Sequence, residues 1–307
     1  MTKTLITLGD PNGISPEITI KALNFLNLPE DKIALIANKN IINFYESKFK
    51  IPLKNRYEII EIPYNKKDIQ PGQETKEAGK FAYQALIKAC KMALSDDIHS
   101  IVTAPLSKNA VKMAGHNYSG QTEILEQYLA HSNQKAEMLF VCNKFNVLLL
   151  TRHIAIKDVS EKIKKNIIIS KTECLINFLK LKFKIRNPIV AICALNPHAG
   201  ESGMFGKEEI NEIIPAVKEL QDKGINIQGP FPSDTLFFDC FSGKCKYDCY
   251  IAMYHDQGLI PVKLLERDNC VNTTIGLDIL RTSPAHGTAF DIAGKNIANP
   301  SSMINAI

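Results

Sequence analysis

No run in this 307-residue chain approaches the roughly 18 consecutive apolar residues that a membrane-spanning helix needs. Targeting features are equally scarce. The opening Met-Thr-Lys-Thr-Leu-Ile-Thr-Leu enters an apolar strand at once, with no charged region ahead of a long apolar one. The eight cysteines are scattered, several within strand-like runs such as those holding Cys142 and Cys193, so no disulfide framework is expected. Cys240, Cys245 and Cys249 fit no common zinc-knuckle spacing. A reduced, cytoplasmic protein with no membrane contact is the expectation. Arginine is also short, at five of the 37 basic residues, and the net charge of +5 is spread through many lysines and forms no basic arm. That balance disfavours nucleic acid and suits a basic pocket for an anionic small molecule. The G-x-G-x-x-G fingerprint of ordinary dinucleotide-binding folds is missing, as are internal repeats, low-complexity segments and any obvious linker.

What is present reads as a soluble α/β protein. Hydrophobic content of 45% and charged content of 22% are ordinary, and the length suits about two domains. Leu5–Leu8 reads as a strand that runs into Gly9-Asp-Pro-Asn-Gly13, with Ser15 as helix N-cap and Pro16 in the first turn. Further strands are expected at 33–37, 57–62, 98–102, 138–141, 146–150, 188–195 and 250–254. Helices are expected at 76–94, where alanines at helical spacing suit close packing on a sheet, at about 121–130, at 159–181 and at 207–223. This alternation predicts a largely parallel, doubly wound sheet.

Three histidines, His153, His198 and His255, directly follow long apolar strand candidates. Ligands of open α/β sheets bind outside the carboxyl ends of strands, and three imidazoles delivered there suit Zn²⁺ or a similar divalent ion. A single histidine at a loop start is more often a surface or capping residue, so the weight lies in the repetition. Arg281, inside the run from Ile275 to Pro284, and Lys263 are candidates to clamp a phosphate or carboxylate. Asp234 and Asp256 are the carboxylates best placed for proton transfer, although Asp234 also suits a turn cap. The stretch from His286 to Gly294 has two glycines, small residues and Asp291, which suits close approach of a planar ligand and acceptance of a ribose diol.

Taken together, Gly9-Asp-Pro-Asn-Gly-Ile-Ser-Pro-Glu17, Thr103-Ala-Pro, Asn196-Pro-His-Ala-Gly-Glu201, Pro232-Ser-Asp-Thr-Leu-Phe237, Met253-Tyr-His-Asp-Gln-Gly258 and Arg281-Thr-Ser-Pro-Ala-His-Gly-Thr-Ala289 resemble the 4-hydroxythreonine-4-phosphate dehydrogenase family of the vitamin B6 pathway. The match spans nearly the whole chain in family order. It implies a homodimer of two-domain α/β subunits, similar in fold to isocitrate and isopropylmalate dehydrogenases, with the active site in the interdomain cleft. The expected division is 1–120 with 285–307 on the nucleotide side, and 121–284 carrying the metal site and dimer interface. The resemblance implies a divalent metal, zinc before magnesium or cobalt, held by His153 and His198 of one subunit and His255 of the other. It implies substrate contacts from Gln121, Thr122, Lys263, Asn272 and Arg281, and NAD held by His286, Gly287, Thr288 and Asp291. The reaction implied is oxidation of 4-phosphohydroxy-L-threonine at C3 and decarboxylation to 3-amino-2-oxopropyl phosphate, with Asp234, Asp256 or Lys263 relaying the proton. Gln121 departs from the histidine common in the family, and it cannot carry a positive charge. Competing readings are a sister dehydrogenase for 4-phosphoerythronate or 4-phosphothreonate, an acyltransferase of the phosphotransacetylase type, and a non-catalytic binding protein on the same scaffold.

Overall fold

The apolar runs form strands because their β-branched and leucine side chains are buried on both sheet faces, as parallel sheets require. The structure, a computed structural model, describes residues 3–95, 97–131 and 134–307. In chain order the strands are β1 (Lys3–Thr7), β2 (Ile33–Ala37), β3 (Glu58–Glu61), β4 (Ile98–Thr103), β5 (Glu137–Val141), β6 (Val147–Leu149), β7 (Ile189–Cys193), β8 (Asn226–Phe231), β9 (Cys249–Ala252), β10 (Val271–Ile275) and β11 (Leu280–Pro284). The chain divides into two compact units, Met1–Ala136 with Val271–Ile307, and Glu137–Cys270. The first therefore takes in residues 121–136 and 271–284 as well as the two expected segments.

In the first unit the strands lie in the order β3-β2-β1-β4-β11-β10. All neighbours are parallel except the β10–β11 pair. The Lys76–Met92 helix buries Ala78, Phe81, Ala82, Ala85 and Ala89, the face read from its spacing. Thr75 starts that helix by accepting the Ala78 amide. Ser15, in contrast, is not a cap. It is the first residue of the Ser15–Leu26 helix, and its hydroxyl donates to Pro105 O at 2.6 Å. Because the serine already lies inside the first turn, the cap position falls to Ile14, whose side chain has no acceptor to offer the free amides.

In the second unit the order is β5-β6-β9-β7-β8. β5 and β6 form the antiparallel pair expected from the Asn143-Lys144 turn, and the others are parallel. The helix expected over 159–181 is broken into Val159–Lys162 and Lys165–Leu181, with Ile163 extended at φ −80° and ψ 98°. The helix expected over 207–223 opens as a π-helical turn, Glu209–Ile213, before α-helix Ile214–Asp222. Pro215 has no amide to donate to the carbonyl four residues back, so the turn ahead of it widens. Among the described residues no helix is long and apolar enough to cross a membrane.

Candidate functional site

The first unit carries a buried cation with no carboxylate partner. Arg281 is the second residue of β11 and is 2% exposed. Its Nε and Nη2 donate to Thr103 Oγ1 at 3.0 and 2.7 Å, Nη1 to Thr274 Oγ1 at 3.2 Å, and Nη2 to Gln121 Oε1 at 3.0 Å. Every one of these acceptors is neutral, and among the described residues none ion-pairs with it. Burial lowers its pKa to about 10, which still leaves it charged at neutral pH. Glu123 acts on it as a nearby charge, with no ion pair between them among the described residues. A buried charge without a direct partner costs several kcal/mol, so this fork is organised to receive an anion.

Its surroundings agree. Gln121 and Thr122 open the Gln121–Leu129 helix, whose N-cap is Gly120 with no side-chain cap. The amides of that first turn are a ready-made anion site. Gln121 Nε2 donates to Ala104 O at 3.3 Å, so its amide is oriented with the oxygen toward Arg281. Asn272 lies two residues before Thr274 on β10 and shares its face. Its Oδ1 is buried without a hydrogen-bond partner. Lys108, which opens the next helix after β4, brings its Nζ within 3.9 Å of the Cβ position of Gly120.

The loop holding His286, Gly287, Thr288 and Asp291 lies in the same unit. Thr288 O accepts the Ile14 amide at 2.9 Å, so the β1–helix turn and this loop brace each other. Gly287 has open space about it, and Asp291 is exposed. The His286 Nδ1 lies 3.1 Å from Gly287 O. In the bracing turn Asp10 is fully buried; Oδ1 accepts the Asn12 amide at 2.9 Å, and Oδ2 has no partner. Burial, with the Glu74 carboxylate nearby, pushes the Asp10 pKa up to about 6 against the pull of its amide bonds.

The three histidines belong to the second unit. β6, β9 and β7 are parallel neighbours, so the residues that follow them emerge at one sheet edge. Thr151 continues the β6–β9 pairing, its amide and hydroxyl both reaching Met253 O, which brings the next residues of each strand together. The His153 and His255 rings stand with centroids 5.6 Å apart. Two imidazoles sharing one tetrahedral ion with metal–nitrogen bonds of about 2.0–2.1 Å would have ring centres roughly 5 Å apart, so this pair fits such a group. His255 Nδ1 lies 2.7 Å from Asp256 Oδ1, the arrangement that turns Nε2 outward as a ligand. His198 does not join them within one chain. Among the described residues no three His, Cys, Asp or Glu side chains form a metal-sized group.

His255 is the first residue of the His255–Glu266 helix, not of a loop. That helix lies close on the sheet because residue 258 is glycine; a Cβ there would stand 2.8 Å from Val147 Cγ1 and 2.9 Å from Leu149 Cδ2. Lys263 is two turns further along. Gln257 is the tie between elements: Nε2 donates to Ala194 O at 2.8 Å and to Ser233 Oγ at 2.7 Å, and Oε1 accepts the Met253 amide at 2.7 Å. It thereby fixes the Ser233–Leu236 helix, whose first turn carries Asp234, beside the ends of β7 and β9.

His198 sits in a backbone run of unusual hand. His198, Ala199, Gly200, Glu201 and Ser202 have φ of 52°, 55°, 80°, 42° and 56°. Each non-glycine residue there costs about 1–2 kcal/mol relative to right-handed helix, and such strain gathers at functional sites. The sequence signal was only the glycine at 200. Thr103, Lys108, Gln257, Asp10 and Glu209 were not read as site residues; charge and amide type alone do not distinguish them, since their roles depend on partners far off in sequence.

Comparison with known proteins places the chain. The family model described as "Pyridoxal phosphate biosynthetic protein PdxA" matches residues 2–307. A 4-hydroxythreonine-4-phosphate dehydrogenase of Sulfurihydrogenibium sp. (strain YO3AOP1) is 41% identical, over 100% of this chain and 97% of the relative. A D-threonate 4-phosphate dehydrogenase of Pectobacterium atrosepticum is 37% identical, over 98% of this chain and 96% of its own length. The crystal structure of a 4-hydroxythreonine-4-phosphate dehydrogenase from Klebsiella pneumoniae superposes with a TM-score of 0.85 at 33% identity, covering 100% of this chain and 98% of that one.

Proposed function

Because this chain belongs to the family of the pyridoxal phosphate biosynthetic protein PdxA and is a dehydrogenase, we propose that it oxidises 4-phosphohydroxy-L-threonine at C3, with NAD and a divalent metal, and that decarboxylation yields 3-amino-2-oxopropyl phosphate. The observation that carries the reading is Arg281, a buried fork with only neutral partners. A phosphate dianion meets that fork bidentately and also meets the uncapped helix start at Gln121 and Thr122. Asn272 and Lys263 are the further substrate contacts of this reading. The asparagine Oδ1 accepts a substrate hydroxyl or ammonium, and the lysine brings a point charge.

When bound, the divalent ion supplies Lewis acidity at the C3 oxygen, and the nicotinamide supplies the electron acceptor. His153, His198 and His255 hold the ion, zinc being the best match to an all-imidazole set, with magnesium and cobalt as alternatives. Asp256 keeps the His255 ring in the tautomer that ligates. Asp234 or Asp256, or Lys263 in its neutral form, accepts the proton of the C3 hydroxyl. Loss of CO₂ then follows readily, since the new ketone takes up the electron pair of the breaking bond. Asp291 accepts hydrogen bonds from the adenosine ribose diol and repels a 2′-phosphate, which favours NAD over NADP. His286, Gly287 and Thr288 line the same cofactor loop.

Within one chain His153 meets His255, whereas the resemblance implies His153 with His198 and His255 from the partner; in this reading a second subunit completes the set. The second unit also exposes Ile156, Met204, Phe205, Phe238, Phe241 and Leu264, apolar area that a homodimer would cover. The reading places the enzyme in the cytoplasm, acting on a small phosphorylated amino acid.

The test is direct. Full-length protein with 4-phosphohydroxythreonine, NAD and Zn²⁺ should produce NADH, and His255→Ala should not. Turnover with D-threonate 4-phosphate and none with the amino acid would move the assignment to the second reading, which the Pectobacterium relative's name motivates. Gln121 bears on this choice. It offers the phosphate no titratable charge, so the Michaelis constant should be flat between pH 6 and 8 wherever the substrate charge is constant.

A further inference from the structure

The His198 turn is built around Glu209. Glu209 is 1% exposed and, among the described residues, pairs with no cation. Its Oε1 accepts the backbone amides of Leu195 and Asn196, both at 2.8 Å, and Oε2 accepts Asn196 Nδ2 at 2.9 Å. Glu208 holds the same Asn196 Nδ2 at 2.8 Å and is anchored in turn by the Ser160 hydroxyl. These bonds fix the direction in which the chain leaves β7, two residues ahead of His198. The carboxylate also forms the inner wall of the left-handed run, because a Cβ on Gly200 would stand 2.7 Å from Glu209 Oε2. The run closes when Phe205 and Met204 donate their amides to Gly200 O and Glu201 O at 3.2 and 3.1 Å. Glu209 is the first residue of the π-helical turn Glu209–Ile213.

A left-handed run of mostly non-glycine residues persists only where its surroundings over-determine it. Here the determinant is one saturated carboxylate. We propose that Glu209 is a positioning residue for His198: by fixing the backbone of the left-handed turn, it sets the direction from which that imidazole approaches a divalent cation. The inference rests on the reading of His153, His198 and His255 as metal ligands.

Glu209→Gln is the informative change. It keeps one acceptor oxygen for the two backbone amides but turns the other into –NH₂, set donor against donor with Asn196 Nδ2. Asn196→Ala is milder, removing the side-chain bonds to Glu209 and Glu208 while leaving both backbone bonds to Glu209. Metal-free full-length wild type, both variants and His198→Ala would be titrated with Co²⁺, following its visible bands as a report on ligand geometry, and then displaced with Zn²⁺. The expected result is a 10- to 100-fold loss of Co²⁺ affinity and altered bands for Glu209→Gln, the usual cost of removing a group that orients a ligand. Asn196→Ala should show a smaller loss, and the dissociation constant for NAD should be unchanged in each. Wild-type affinity and spectrum in Glu209→Gln, with His198→Ala impaired, would mean that the carboxylate serves folding alone and would overturn the proposal. Wild-type binding in His198→Ala would instead remove the ligand assignment beneath it. Should Glu209→Gln fail to fold, Asn196→Ala decides: an unaltered spectrum and affinity there count against the positioning role.

Discussion

Arg281 in the first unit and Glu209 in the second are both almost fully buried charges, yet the chain treats them differently. Glu209 takes two backbone amides and a side-chain amide, so its charge is answered locally. Arg281 has two threonine hydroxyls and a glutamine oxygen, which take four of its five N–H groups but leave it without an ion-pair partner among the described residues. A buried charge that the chain closes serves its own shape. One that the chain leaves open lowers stability and is retained for what arrives from outside.

That contrast can be broken most forcefully at Arg281. Arg281→Met, similar in volume and uncharged, should cut kcat/KM for the phosphorylated substrate by about 100- to 1000-fold, some 3–4 kcal/mol of lost charge-assisted contact. The same variant should raise the urea midpoint of the ligand-free protein, because an unpaired cation no longer has to be desolvated. Unchanged kcat/KM, or a lowered midpoint with intact packing, would remove the distinction.

Asp10 offers the next largest effect, and it too is open, with Oδ2 unpaired. Its folded-state pKa of about 6 lies above the ordinary 3.8, so the folded protein binds this proton more tightly than the unfolded one. Its contribution to stability is therefore full below pH 4 and is lost as pH rises through 6. A shift of that size corresponds to at most about 3 kcal/mol. Asp10→Asn should show no such decline, and the difference between wild type and variant in urea melts from pH 4 to pH 8 measures it.

Glu209→Gln should act in the opposite sense to Arg281→Met, destabilising by about 1–3 kcal/mol, since a saturated buried acceptor becomes a mismatched donor. Chemical denaturation at pH 7 reads this separately from metal binding. The smallest effect is expected at the exposed Asp291. Asp291→Asn should narrow the preference for NAD over NADP by about tenfold through relief of repulsion, roughly 1.4 kcal/mol, visible in the ratio of Michaelis constants.

Legibility in the sequence follows the same division between local and distant causes. β2 and the Lys76–Met92 helix appear almost as read, because period and propensity agree over many residues. His153, His198 and His255 were visible because each follows a strong apolar run. Thr103, Gln257 and Glu209 were not, since their meaning comes from partners reached only through folding: Arg281 is 178 residues away from Thr103, and Ala194 is 63 from Gln257. The breaks at Ile163 and in the π-helical turn were missed because hydrophobic periodicity runs through both without interruption. Ser15 was misread as a cap because Ser-Pro-Glu reads equally well with the serine one position further in, inside the first turn.

The division of the chain has a consequence for how the protein is made. The second unit is continuous, Glu137–Cys270, whereas the first is closed by Val271–Ile307. β11, the neighbour of β4, and the core residues Ile279 and Met303 are thus made only after the whole of the second unit. The sheet and histidine edge of the second unit can fold during synthesis, while the first unit waits with β4 unpaired on one side. The anion pocket around Arg281 is completed only after the second unit has been made.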